Sequence, residues 1–294
     1  MKLDFMRYKY IYFFISAAVI IPGLISLILF GFKPSVDFTG GTLLELKITP
    51  KQEIALSNQL IQENIPEDIQ ISSIQSSGEN TYLLRAKPIT QEQNSNFQST
   101  LSQSLGEVEE IRFETVGPTL GKELLRKTIF AIVIAAGAIL LYVAYRFKEL
   151  KYGVCAILAM FHDSFILLGT FSLLGHFLGV EVDTLFVTAV LTTLSFSVHD
   201  TIVVYDRIRE TLRKNPKADF VSIVNKSVAE TLGRSVNNSM TIIFMLLALY
   251  LLGGDTTKWF VFALLIGTIA GTYSSTFTAA PLLVVWENRF SKKT

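Results

Sequence analysis

Six apolar runs, each near the length a helix needs to cross a bilayer, constrain this chain more than any other feature. They fall at 11–31, 128–146, 152–174, 184–205, 239–253 and 259–281. A spanning helix takes about 17–25 residues. The fifth run is shorter, so its polar start, SVNNSMT, must lie partly inside the membrane or against protein. With 50% of residues hydrophobic and only 17% charged, a chain of 294 residues is too apolar for an ordinary soluble domain. The expected class is a membrane α-helical bundle of six transmembrane helices.

Charges flanking the runs predict an orientation. The N-terminus with Lys2, Arg7 and Lys9, the turn YRFKELKY, the loop 206–238 and the tail ENRFSKKT are rich in Lys and Arg. The turns GHFLGVEVDT and GGDTTKW carry one Lys between them. Positive residues favour the cytoplasmic side, which predicts two cytoplasmic termini. Arg126 and Lys127 oppose the rule, but they border a long translocated segment, where the rule is weak. The first run is too long for a signal-peptide core and LFGFKPSVDF offers no cleavage site, so it is expected to remain as an anchor. The expected organisation is an anchor over 1–32, an outer domain over 33–126 and a five-helix bundle over 127–294.

The outer segment reads as a small α+β domain. TLLELKIT alternates as a strand does, and KQEIALSNQLIQENI places Ile54, Ile61 and Ile65 at helical spacing. IQISSIQ and TYLLRAK are strand-like and joined by SSGEN, a hairpin loop. TQEQNSNFQSTLSQSLG sets Phe97, Leu101 and Leu105 on one helical face and stops at Gly106, and VEEIRFETV closes as a strand. The order is βαββαβ, a ferredoxin-like unit. In that topology the first and last strands are antiparallel neighbours. Two glycine-bearing stretches should therefore meet: Asp37, Phe38, Thr39, Gly40 and Gly41 in VDFTGG, and Gly117, Pro118 and Gly121 in VGPTLG. Either stretch alone is explained by ordinary turn chemistry. Neither is a phosphate loop.

Two apolar runs contain carboxylates. The fourth continues through His199 and Asp200 in FSVHDTIVVYDRIRE, and the third holds His162 and Asp163 in MFHDSFILLG. A charge near the bilayer centre costs about 2.5–3.5 kcal/mol even on lenient scales. At seven-residue spacing Thr193, Asp200 and Arg207 share a face, which should point away from lipid because lipid offers no hydrogen bonds. Such carboxylates recur in proton relays, and His titrates near neutrality. The competing reading is a structural ion pair. Metal binding is the other rival, but adjacent His and Asp side chains should diverge, and there is no HExxH motif. No metal, cofactor or enzymatic activity is expected, and a net charge of +1 gives no basic excess for nucleic acid. Cys155 lies in an apolar run and reads as a small buried residue. The charged connection between the fourth and fifth runs reads as amphipathic helix, with Val221, Val224 and Val228 at helical spacing, and Glu230 and Arg234 stand at i,i+4, where they should pair.

These stretches together resemble the SecF family of bacterial protein-export membrane proteins. DFTGG at the domain's start, VGPTLGKEL at its exit, HD in the third helix and DTIVVYDRIRE in the fourth carry the resemblance. It implies a relation to the resistance–nodulation–division transporters and a location in the bacterial inner membrane. It also implies a SecD-like membrane partner and use of the proton-motive force to move unfolded exported polypeptides. The SecYEG channel and the SecA ATPase would be indirect partners, and membrane lipid the surroundings. Asp200 would match the family's proton-linked aspartate and Arg207 the arginine of its DRIRE stretch. Two departures stand out: His199 replaces the Asn usual before that aspartate, and GRSVNNSMT lacks the usual run of Thr. The alternatives are one half of a proton-driven small-molecule or lipid exporter, and a scaffold for translocase assembly.

Overall fold

The computed structural model describes residues 4–51, 56–66, 68–78, 80–147 and 149–290. Ile54, Lys2 and the final SKKT lie outside them. Chain contacts divide the protein into two compact units, Pro34–Ile129 and the remainder.

The first unit opens with a single helical turn, α2 (Val36–Thr39), capped by the Ser35 hydroxyl, which accepts from Asp37 N–H. Then follow β1 (Gly41–Pro50), α3 (Asn58–Glu63), β2 (Ile71–Gly78), β3 (Thr81–Ala86), α4 (Gln91–Ser104) and β4 (Gly106–Val116). The strands form one antiparallel sheet in the order β2-β3-β1-β4, the ferredoxin-like arrangement. The central β1 is buried over Gly41–Leu46, as befits a strand paired on both edges. Thr90 and Gln93 form a capping box that starts α4. Phe97, Leu101 and Leu105 then join Leu44, Leu46, Ile48 and Ile61 in the core. The helix expected from residue 51 is described only over Asn58–Glu63, with Ile61 buried. A core of this kind, closed within one unit, should let residues 35–122 fold alone. Circular dichroism of that fragment is expected to show mixed α and β signal and a cooperative melt; a disordered spectrum would reject the assignment.

The second unit holds α1 (Lys9–Leu29), the later part of α5 (Pro118–Arg146), α6 (Leu150–Leu178), α7 (Thr184–Lys214) and α8 (Phe220–Leu252). It ends with α9 (Asp255–Ser274), a π turn over Ser275–Ala279 and α10 (Ala280–Phe290), which form one continuous spanning element. Among the described residues, six helices are long and apolar enough to cross a membrane. The segment 206–238 that connects the fourth and fifth spans is helical on both sides of one short turn. Only Asn215–Asp219 separates α7 from α8, whose first turn is capped by the Asp219 carboxylate on Ser222 N–H. Several of the charges there pair on helix surfaces, as Arg207 does with Glu210 and Glu230 and Lys214 with Glu210, and so are compatible with continued helix.

α1 and α6 pack side by side in parallel. Ser16 meets His162, Ser26 meets Ser172, and Phe30 stacks on His176 at 3.7 Å. Gly23 lies on Gly169 between them. All four pairs share one sequence offset, so the helices run in the same direction. Their spacing of seven, three and four residues is that of a coiled-coil seam. A Cβ on Gly169 would stand 2.6 Å from the Gly23 Cα, where only backbone can yield. Gly169→Ala should therefore lower stability by about 1–3 kcal/mol, the cost of overpacking. Gly137→Ala is the control, because nothing lies within 4 Å of a Cβ there. Thermal unfolding in detergent checks it, and equal melting of the two variants would refute the seam.

Candidate intramembrane site

The two His-Asp pairs sit in different environments. Asp163 lies at the middle of the 29-residue α6 and is completely buried. Its Oδ1 is 2.9 Å from His162 Nδ1, and its Oδ2 accepts from the Ser274 hydroxyl at 2.6 Å. His162 Nε2 is 2.9 Å from the Ser16 hydroxyl, and the ring stacks on Tyr273. The hydroxyl of Tyr273 in turn donates to Tyr12 O. Adjacent residues point about 100° apart around a helix, which predicts that these side chains diverge. They touch because Asp163 faces α9 and His162 faces α1, and the Nδ1 edge of the ring lies on the side between. The result is a polar network tying α1, α6 and α9 together inside the bundle.

Ser274 immediately precedes the π turn. Such a turn widens the helix by one residue and frees carbonyls from their ordinary partners. One is taken up by Tyr205, whose buried hydroxyl donates to Ala279 O at 2.9 Å. The hydroxyls of Ser197 and Thr278 are buried without a partner among the described residues. Ser197 is also close to Asp163, for a Cβ on Gly271 would stand 3.5 Å from the Ser197 Cα and 3.8 Å from Asp163 Oδ2.

Asp200 is placed differently. It lies at the middle of the 31-residue α7, is half-buried, and has one hydrogen bond among the described residues, a 3.4 Å contact from the Ser235 hydroxyl of α8. His199 is exposed, on another face. Of the expected stripe, Thr193 is buried against Gly267 of α9 and Asp200 lies at the α7–α8 seam. Arg207 lies further along the same α7–α8 seam. Its guanidinium is held between Glu210 and Glu230, each at 2.6 Å. That pairing also corrects the expected Glu230–Arg234 bridge: Arg207 reaches Glu230 across the α7–α8 contact and occupies its carboxylate.

The two glycine-bearing stretches of the α+β unit lie against each other. Gly40 has φ of 73°, and a Cβ on it would be 2.7 Å from the Pro118 Cα. A Cβ on Gly121 would be 2.9 Å from Gly40 N and 3.1 Å from Phe38 O. Side chains at these positions would push α2 off the start of α5. Gly41 pairs with Val116 where β1 begins and β4 ends. Phe38 is buried, and Thr39 donates to Ser35 O. Gly117 has open space around it, so no crowding demands glycine there.

Sequence reasoning missed Ser16, Ser235, Ser274 and the π turn. The signal was present for two of them: GTYSSTFT is a cluster rich in small polar residues inside the sixth apolar run, and it contains Ser274 and four of the five residues of the turn.

Comparison with known proteins agrees with this architecture. The family described as "Protein export membrane protein SecD/SecF, C-terminal" matches residues 96–289, and the "SecD/SecF GG Motif" matches residues 25–51. Protein translocase subunit SecF of Thermobaculum terrenum is 44% identical over 300 residues, covering 98% of this chain and 95% of its own. The subunit SecF of Anaerolinea thermophila is 41% identical, covering 97% and 94%. The crystal structure of SecDF from Thermus thermophilus, described as a translocon-associated membrane protein, superimposes with a TM-score of 0.81 at 33% identity. That match covers 98% of this chain but only 39% of the SecDF chain. By family match, by near-full-length relatives and by fold, the chain belongs to the SecD/SecF family of protein-export membrane proteins, as a SecF-type member.

Proposed function

We propose that this chain is a protein-export accessory subunit that works beside a SecD-like partner and draws on the proton-motive force through Asp200. The observation that carries the proton assignment is the contrast between two carboxylates within spanning helices. Asp163 is sealed, with both oxygens engaged. Asp200 is half-open and holds one long hydrogen bond. A carboxyl group that exchanges protons needs access and a weak hold on its present partners, and of these two only Asp200 meets both conditions. His162 and Asp163 then position helices rather than carry protons, and Arg207 steadies the α7–α8 pair.

The polar surface near Asp200 supports a membrane partner. Ser195 and His199 on α7, and Asn237, Asn238 and Thr241 on α8, are exposed within spanning helices. Lipid cannot satisfy such groups, so protein or water must cover them. A relative named protein translocase subunit SecDF, from Thermus thermophilus, matches this chain over 35% of its own length, which leaves room in one polypeptide for a further part. The Lys- and Arg-rich helix ends favour cytoplasmic termini in the bacterial inner membrane, with the α+β unit on the opposite side. There it would meet unfolded polypeptide delivered through SecYEG by SecA. No enzymatic step is assigned.

The test is secretion of a reporter in cells that depend on this copy, before and after a protonophore, together with co-purification of membrane partners. Gradient-sensitive export and recovery of a SecD-like protein are expected. Export indifferent to the gradient would remove the coupling role, and failure to recover that partner would remove the pairing.

A further inference from the structure

At the end of the bundle where α5 stops, a groove of about 530 Å³ opens between α5 and α7. Arg146, Asp206, Arg209, Glu210, Arg213 and Lys214 line it. Its two carboxylates are already neutralised. Asp206 is bound by Arg146 and lies 3.7 Å from Arg209. Glu210 is bound at 2.6 Å by Lys214 and by Arg207, which stands outside the groove. Arg213 makes no hydrogen bond or ion pair among the described residues. Four cations thus face two satisfied anions, and the groove carries an uncompensated positive charge.

The neighbouring surface is apolar. Tyr142 stands one turn before Arg146 on α5 and is 52% exposed, and Leu141 and Tyr145 beside it are 74% and 86% exposed. A basic concavity capping a bare apolar stretch of a spanning helix matches a molecule with a phosphate head and hydrocarbon tails. We infer that this groove binds the phosphate headgroup of an anionic membrane lipid, with its acyl chains along Leu141, Tyr142 and Tyr145. Basic pockets between helix ends are a recurring lipid-headgroup geometry. The inference does not depend on which side of the membrane this end faces, nor on Asp200.

Native mass spectrometry of the purified full-length chain in detergent tests it. The probes are dioleoylphosphatidylglycerol, dioleoylphosphatidylcholine with the same tails but no net charge, and sodium phosphate as competitor. Preferential retention of phosphatidylglycerol is expected. Arg213→Gln should reduce it by about fivefold, the weight of one basic residue at an anionic surface. Arg209→Gln should reduce it as well. Lys226→Gln, which removes an equal charge from an exposed position on α8 outside the groove, should leave it unchanged. Unchanged phosphatidylcholine retention in each variant shows that the fold persists. Equal retention of the two lipids, or an equal fall in Lys226→Gln, would overturn the site in favour of diffuse attraction. Displacement of phosphatidylglycerol by millimolar phosphate would make it a free-anion site and overturn the lipid assignment. Retention unmoved by Arg213→Gln and Arg209→Gln would place the lipid elsewhere.

Discussion

Asp200→Asn is expected to abolish gradient-stimulated export while the protein remains assembled in the membrane. Asn keeps the shape of the side chain and can still accept from the Ser235 hydroxyl, so the 3.4 Å contact survives. A neutral hydrogen bond contributes about 0.5–1.5 kcal/mol, and one this long falls at the low end. Stability should therefore change little. What is lost is the ability to bind and release a proton, and with it access to roughly 2.3 kcal/mol for each charge moved through 100 mV. The measurement is reporter secretion with and without protonophore, at matched protein levels, for Asp200→Asn and Asp200→Glu. The Glu variant keeps a titratable group and should retain partial stimulation. Full gradient-dependent export by Asp200→Asn would show that the proton is carried elsewhere and would leave Asp200 as a structural partner of α8.

How far the sequence could lead differs between scaffold and site, for a physical reason. Spanning helices announce themselves because lipid demands about twenty apolar residues in succession, and the α+β order announces itself through period-two and period-3.6 patterns. Both signals are local. The helical character of 206–238 was legible from the spacing of Val221, Val224 and Val228, but not its continuity with the spanning parts of α7 and α8. Several charges there are satisfied on helix surfaces, by Lys214 with Glu210 and Arg207 with Glu230. The intramembrane site is not local at all. Periodicity places His162 and Asp163 around the axis of α6 but cannot say that Ser16 or Ser274 will meet them, since those come from sequence positions 146 and 111 residues away. For the same reason the seven-residue stripe could place Arg207 on the face of Asp200, toward α8, but could not name Glu230 as its partner. The meeting of the two glycine-bearing stretches was legible because sheet topology, unlike helix packing, fixes which chain ends are neighbours.

Asp163→Ala is expected to be the most destabilising polar substitution within the bundle, and to act on assembly rather than on coupling. The carboxylate is fully buried and accepts from Ser274 while contacting His162. Alanine would leave the Ser274 hydroxyl and one edge of the His162 ring facing each other across an emptied site. Hydrogen bonds between spanning helices are worth about 1 kcal/mol each, because the unfolded chain in a membrane also finds partners. An orphaned buried polar group costs about 1–3 kcal/mol more. Together these put the loss at about 3 kcal/mol, enough to loosen α9 and the π turn from α6. Asp163→Asn preserves an acceptor for His162 and a group within reach of the Ser274 hydroxyl, so it should cost far less and keep gradient-dependent export. Thermal unfolding in detergent separates the two, with export measured in parallel. A stable Asp163→Ala protein would remove the network's structural role. A stable Asp163→Asn protein that has lost its response to the gradient would make Asp163 a second proton carrier, and the division of labour between the two carboxylates would fall.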